Sequence, residues 1–277
     1  RYSKEYPGRV KFFLGDVRSY ESVYEAVKLW DPDYIVNAAA VKHVPDCEKH
    51  VWEAVQTNIV GARNIVRVAR EFPNIKRVLG ISTDKAVESI NVMGMTKAIQ
   101  ERLFLSQDNR NFNVVRFGNV IGSTGSVIPL FDSLGKVGEN IPITDESMTR
   151  FLLKASEAVN LVIYGLEQAE PGRIIIPIMP ACSMGTLASV FCRHYNVEST
   201  IVGSRPGEKR DEVINNEYEA SVTYDIIGTQ YRQIYPYGSE PPLTRQLSVG
   251  EQISSQNAAR LGINVLRELL MNEGYLR

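Results

Sequence analysis

A carboxylic acid and an amine stand side by side at Asp84 and Lys85, and a second amine, Lys97, closes the run Asn91-Val92-Met93-Gly94-Met95-Thr96-Lys97. An acid and an amine with pKa values drawn toward neutrality can give and take protons at carbon or oxygen, while a further ammonium can hold hydroxyls. Such chemistry needs the groups in one crevice. The apolar run Val78-Leu79-Gly80-Ile81 predicts a buried parallel strand, so Ser82-Thr83-Asp84-Lys85 emerges at its carboxyl end, where open α/β sheets hold ligands. Asn91 predicts the cap of a helix running to about Leu105, and on it Met93 and Lys97 lie four apart on one face.

The elements that must position these residues alternate. A strand is predicted at Val10 to Leu14, a helix after Ser19, a strand at Tyr34 to Asn37, a long helix from about Val51 to Arg70, then strands at Val78 to Ser82 and Val114 to Phe117. This rhythm predicts an α/β fold: a Rossmann-like, doubly wound parallel sheet covered by helices on both faces. Beyond Gly122 the pattern loosens. Ser156 is expected to cap a helix over Glu157 to Gln168, Ile174 to Ile178 to return to the sheet as a strand, and Gly185 to Tyr195 and Ala258 to Leu270 to be helical. Residues 1–122 should therefore form the sheet unit and 123–277 mainly a smaller α/β, substrate-facing region, with loops around Pro129, Pro142, Pro206 and Tyr235 to Pro242.

With 31 basic and 32 acidic residues the net charge is −1, which argues against a broad basic surface for nucleic acid. No apolar run approaches the roughly 20 residues needed to span a bilayer, and no signal peptide is visible. Cys47, Cys182 and Cys192 are too few and scattered for a disulfide framework, and read as free buried thiols of a cytoplasmic protein. His43, His50 and His194 have no metal-ligand spacing, so no metal is expected.

Ser82-Thr83-Asp84-Lys85-Ala86 followed by Met93-Gly94-Met95-Thr96-Lys97 resembles the signature of the extended short-chain dehydrogenase/reductases, and within them of the UDP-N-acetylglucosamine 4,6-dehydratases of polysaccharide biosynthesis. Four further runs resemble that family's substrate blocks in the same order: Phe117 to Ser123, Gly125 to Phe131, Ser147 to Phe151 and Arg205 to Lys209. The resemblance implies a lyase that oxidises C4 of the sugar, removes the C5 proton, expels the C6 hydroxyl as water and returns hydride to C6. Asp84 would be the acid, Lys85 the base and Thr83, with Ser82, a hydrogen-bond partner of the C4 oxygen. Met93 stands where most relatives have a tyrosine base, and a thioether cannot ionise.

The same resemblance assigns a nicotinamide cofactor, expected to be NADP with NAD not excluded, to Asp16, Val17, Ala38, Ala39, Ala40, Lys42, Asn58, Ser82 and Lys97. Asp16 would contact adenine or simply cap a turn; the alanines would admit the cofactor or a close helix. Lys42, Asn119, Ser126, Val127, Arg150, Arg205, Glu208 and Lys209 would hold the UDP-sugar, with Arg150 alternatively a structural ion pair. His43 would line the nicotinamide loop or serve structure. Thr124 and Arg210-Asp211 depart from the family pattern. The resemblance implies homo-oligomers built through the helices around Val51 to Arg70 and Asn91 to Leu105, whose apolar faces could equally belong to the core.

No glycine-rich strand-turn-helix for a pyrophosphate appears near the start, so roughly 50 to 60 residues of the dinucleotide-binding unit are expected to lie outside this sequence. Two other functions remain open: a nucleotide-sugar epimerase, which oxidises C4 without needing an acid at C6, and a sugar- or cofactor-binding protein without turnover.

Overall fold

The computed structural model describes residues 5–106, 111–236 and 249–277, so the expected loop from Tyr235 lies outside the described residues beyond Pro236. Helix α1 (Tyr20–Trp30) leads to β1 (Tyr34–Asn37), helices α2 (Val44–Lys49) and α3 (Val51–Val55), a π turn over Gln56–Val60, and α4 (Gly61–Glu71). Strand β2 (Arg77–Thr83), a 3-10 turn at Asp84–Ala86, α5 (Val92–Leu105) and β3 (Phe112–Phe117) follow. Next come β4 (Asn119–Val120), α6 (Val127–Lys136), β5 (Ile141–Ile143), β6 (Thr149–Leu153), α7 (Ala155–Glu167), β7 (Ile174–Pro177), β8 (Ala181–Ser183) and α8 (Met184–Tyr195). The last elements are β9 (Ser199–Ile201), α9 (Glu217–Ser221), β10 (Thr223–Asp225), β11 (Tyr231–Ile234) and α10 (Ile263–Asn272).

The main sheet has the order β1-β2-β3-β7-β11-β10, parallel through β7 and antiparallel thereafter. Branched and aromatic side chains make β2 and β3 apolar on both faces, as a strand sandwiched between helices requires. One face packs Val78, Phe112 and Val114 against Ile65, Val68 and Phe104 of α4 and α5; the other packs Leu79, Val115 and Ile175 against Leu161 of α7. A second core joins Phe131 of α6, Phe191 of α8 and Leu266 and Leu270 of α10. Strands β4, β6 and β8 form a small sheet beside it.

Local sequence explains most boundaries. Ser19 caps α1 by accepting from Ser22 N, and Asn91 caps α5 by accepting from Gly94 N at 2.8 Å. Four expectations change. Val10 to Leu14 is not a strand: no described strand pairs with it, and Phe12 and Leu14 are exposed, so its backbone lacks the ladder that defines one. Ser156 is not a cap, because α7 starts two residues earlier than expected, at Ala155, and the carboxylate of Glu157 accepts from Lys154 N at 2.9 Å. The helix expected over Ala258 to Leu270 begins only at Ile263, since Ala259 O and Leu261 N are taken by the backbone of Ala181. The long helix from Val51 is interrupted by the π turn, which carries Asn58 inward.

Candidate active site

The carboxyl end of β2 turns through Thr83, whose hydroxyl accepts from Lys85 N at 3.4 Å and donates to Asp84 Oδ1 at 2.9 Å. Asp84 is fully buried. Lys85 Nζ lies 3.0 Å from Asp84 Oδ1 and 3.2 Å from Oε1 of Glu212, a residue three positions beyond the Arg205 to Lys209 block. Burial alone would lower the pKa of Lys85, but the two carboxylates outweigh it and hold the group as an ammonium, above the ordinary lysine value. A base at C5 needs the neutral amine, a form these two carboxylates disfavour. Burial pushes the Glu212 pKa up, with Lys85 opposing.

Helix α5 brings its residues to the same strand end. Asn58 sets the spacing: it accepts from Val41 N at 2.8 Å and donates to Val41 O and to Thr96 Oγ1, fastening the loop after β1 to α5. Met93 is buried against Cys47 and Ala54. Lys97 is 6% exposed and donates to Gln100 at 2.8 Å, with no carboxylate at ion-pair distance among the described residues. Burial therefore pulls its pKa down to about 8, Glu101 opposing. Ser82 points its hydroxyl away, to Glu101 Oε1 at 2.5 Å.

Two cavities meet at this point. One, of about 300 Å3, is lined by Ala38, Ala40, Lys42, Ser82, Met93 and Lys97; the other, of about 260 Å3, by Ser126, Arg150, Arg205, Glu208 and Glu212. Lys85 and Asn119 belong to both walls. Four residues lining the second cavity bury a polar atom with no partner: Asn119 Oδ1, Ser126 Oγ, Glu208 Oε2 and Glu212 Oε2. Unfilled buried polar atoms are rare, and these four belong to residues that line one cavity.

The remaining expected residues divide. Thr83 and Val127 line the crevice, Thr83 on the first side and Val127 on the second. Asp84 lines neither cavity, being sealed behind Lys85 and Gly118. Lys42 donates to Thr124 O at 2.7 Å, and the His43 ring packs on Gly125, so this loop closes over the Gly122 turn. Arg150 spends its guanidinium on the carbonyls of Thr149, Lys209 and Arg210 and on Glu208 at 3.3 Å, strapping down the 205–212 loop as well as lining the cavity. Lys209 donates to Val87 O and does not line the cavity, and the carboxylate of Asp211 is taken by Thr149 Oγ1. Asp16 sits at the surface, held bidentate by Arg18 through Nε to Oδ1 and Nη2 to Oδ2, and Val17 packs on Gly61; neither lines the crevice, and Ala39 does not line it either. Cys47 and Cys182 are buried free thiols, whereas Cys192 is half-buried.

Glu212 is the residue that motif matching missed. Its only sequence signal is a carboxylate in the same loop as Glu208, four positions on.

A largely parallel sheet flanked by helices, with an Asp-Lys turn at a central strand end and a buried lysine on the next helix, defines an extended short-chain dehydrogenase/reductase. The chain belongs to the family described as polysaccharide biosynthesis protein, which matches residues 2–232. A protein of Rickettsia bellii (strain OSU 85-389) named UDP-glucose 4-epimerase is 38% identical over 97% of this chain and 82% of its own. Pen from Bacillus thuringiensis superposes with a TM-score of 0.88 at 30% identity, over 98% of this chain and 85% of Pen. DesIV, a dTDP-glucose 4,6-dehydratase from Streptomyces venezuelae solved with NAD and TYD bound, shares the fold with a TM-score of 0.68 at 18% identity, over 73% of this chain and 70% of its own.

Proposed function

We propose that this chain is a nucleotide-sugar 4,6-dehydratase acting on UDP-N-acetylglucosamine with a nicotinamide dinucleotide, NADP in preference to NAD, in the cytoplasm. The observation that carries this reading is Lys85, set between two carboxylates on the wall shared by both cavities. Oxidation at C4 needs one base for the hydroxyl proton; removal of a carbon-bound proton with loss of a hydroxyl needs a base and an acid together.

The residues present fit the nicotinamide half of a cofactor. Ala38 and Ala40 leave room for a flat ring, and Lys97 is a buried cation without a carboxylate contact, suited to ribose hydroxyls. When bound, the nicotinamide would supply reversible storage of the hydride. Lys85 would handle the C5 proton, Thr83 would orient the C4 oxygen, and Asn119, Ser126, Arg205 and Glu208 would meet the nucleotide. The exposed Met95, Ile99 and Trp52 on α5 and α3 suit pairing of two copies.

The name of the Rickettsia protein favours a second reading, C4 epimerisation of a UDP-hexose. The full-length protein, incubated in deuterated water with UDP-N-acetylglucosamine and separately with UDP-glucose, decides between them by NMR. A 4-keto-6-deoxy sugar with deuterium at C5 supports dehydration. A 4-epimer without C5 deuterium replaces it with epimerisation, and binding without either product leaves a non-catalytic role.

A further inference from the structure

We propose that Glu212 is a catalytic acid–base residue of this crevice, sharing a proton with Lys85 across their ion pair and passing it to a hydroxyl of the bound sugar. The identity of that hydroxyl, at C6, rests on the dehydratase reading. Of the two carboxylates that touch Lys85, Glu212 is the one on the cavity wall; Asp84 is sealed behind it. Glu212 is 2% exposed, gives one oxygen to Lys85, and leaves Oε2 with no partner. A buried carboxylate with an unfilled oxygen is costly unless a proton or a ligand group fills it.

The backbone holds this carboxylate in place. Glu212 N donates to Ser255 Oγ at 2.9 Å, Ser255 N donates to Glu212 O at 2.7 Å, and Ser255 Oγ lies 2.6 Å from Thr149 Oγ1 in β6. Burial raises the proton affinity of Glu212; among the charged groups facing it, Lys85, Arg150 and Lys209 oppose that rise and Asp84 adds to it.

In the exchange, an N–H bond of the Lys85 ammonium breaks and an O–H bond forms on Glu212, leaving an amine and a carboxylic acid with the pair's total charge unchanged. The amine takes the C5 proton of the 4-keto sugar, and the C–H electron pair becomes the C5–C6 double bond. Glu212 protonates the C6 oxygen as its bond to carbon breaks. Water leaves, and the pair is again ammonium and carboxylate.

Glu212→Gln in the full-length protein keeps the shape and an acceptor for Lys85 but has no proton of this kind to transfer. Product formation should fall at least about 100-fold, with UDP affinity by calorimetry kept within about threefold, a changed pH profile of kcat, and partial recovery in Glu212→Asp. Side-chain amine NMR of the ligand-free protein should show Lys85 titrating at lower pH in Glu212→Gln. Turnover within about threefold of wild type with the same pH profile overturns the proposal, and so does an unmoved Lys85 titration. If Glu212→Gln does not fold, Glu212→Asp is read by the same measurements, with a smaller loss and a changed pH profile expected. Wild-type protein that forms no 4-keto product sinks the dehydratase reading instead, and the Lys85 titration then still decides whether Glu212 and Lys85 share a proton.

Discussion

Glu101 grips Arg116 at two points, Oε2 to Nη2 at 2.6 Å and Oε1 to Nε at 2.9 Å, with both side chains buried. Ser82 donates to the same carboxylate, while Arg116 also meets Glu219 and the carbonyl of Ile214. One buried cation thus joins the end of β2, the helix that carries Lys97, and the segment just beyond Glu212. The network aligns the two halves of the crevice.

Arg116→Met leaves two carboxylates buried without their cation. We expect a loss of about 3–5 kcal/mol in urea unfolding, and a double variant Glu101→Gln with Arg116→Met that loses less than the two singles combined.

Lys97 makes stability depend on pH in a defined direction. Its folded pKa of about 8 lies below the ordinary 10.5, so between these values the unfolded chain binds a proton that the folded chain does not. The cost of burying the ammonium is fully present below about pH 8, and stability recovers as pH rises toward 10.5, by about 3 kcal/mol at 1.4 kcal/mol per pH unit. The difference in urea stability between wild type and Lys97→Met, followed across this window, should show that rise in the wild type alone; a flat difference would remove the assignment.

Met93 packs in an apolar cluster and cannot carry a proton. Met93→Leu should therefore cost less than about 1.5 kcal/mol of stability and leave the pH profile of kcat unchanged. A lost limb in that profile would show the thioether acting on the chemistry after all.

Gly94 is required by close approach. A Cβ there would stand 2.1 Å from the carbonyl oxygen of Lys85 and 2.8 Å from Ser89 Oγ, so Gly94→Ala pushes directly on the main chain of Lys85. Such overpacking should cost about 1–3 kcal/mol and lower kcat at least about tenfold, measured by thermal melts and product formation.

Arg150 acts as a strap as well as a cavity wall. Arg150→Lys, with a single point charge in place of a planar fork, cannot hold the carbonyls of Thr149, Lys209 and Arg210 together. UDP affinity by calorimetry should fall by about tenfold, equivalent to about 1.4 kcal/mol.

Where the determinants are local, the sequence alone determined the outcome. Asn91 and Ser19 mark helix starts because a side-chain oxygen satisfies a backbone N–H within three residues. The apolar runs of β2, β3 and β7 announce a sheet covered on both faces. Strand order and helical spacing bring the Asp84-Lys85 turn and Lys97 to one strand end; Lys85 and Lys97 line one cavity there, while Asp84 lines none. Val10 to Leu14 has the composition of a strand but lacks a described neighbour, and Ala258 to Leu261 has that of a helix but surrenders its backbone to Ala181.

Tertiary structure alone decided which carboxylate faces the cavity and which charge Lys85 carries. Both depend on how closely the 205–212 loop approaches the end of β2, and that approach is set by Arg150, Ser255 and Arg116, contacts between segments far apart in the chain. A proton's position follows from burial and neighbouring charge, and neither is a property of residue order.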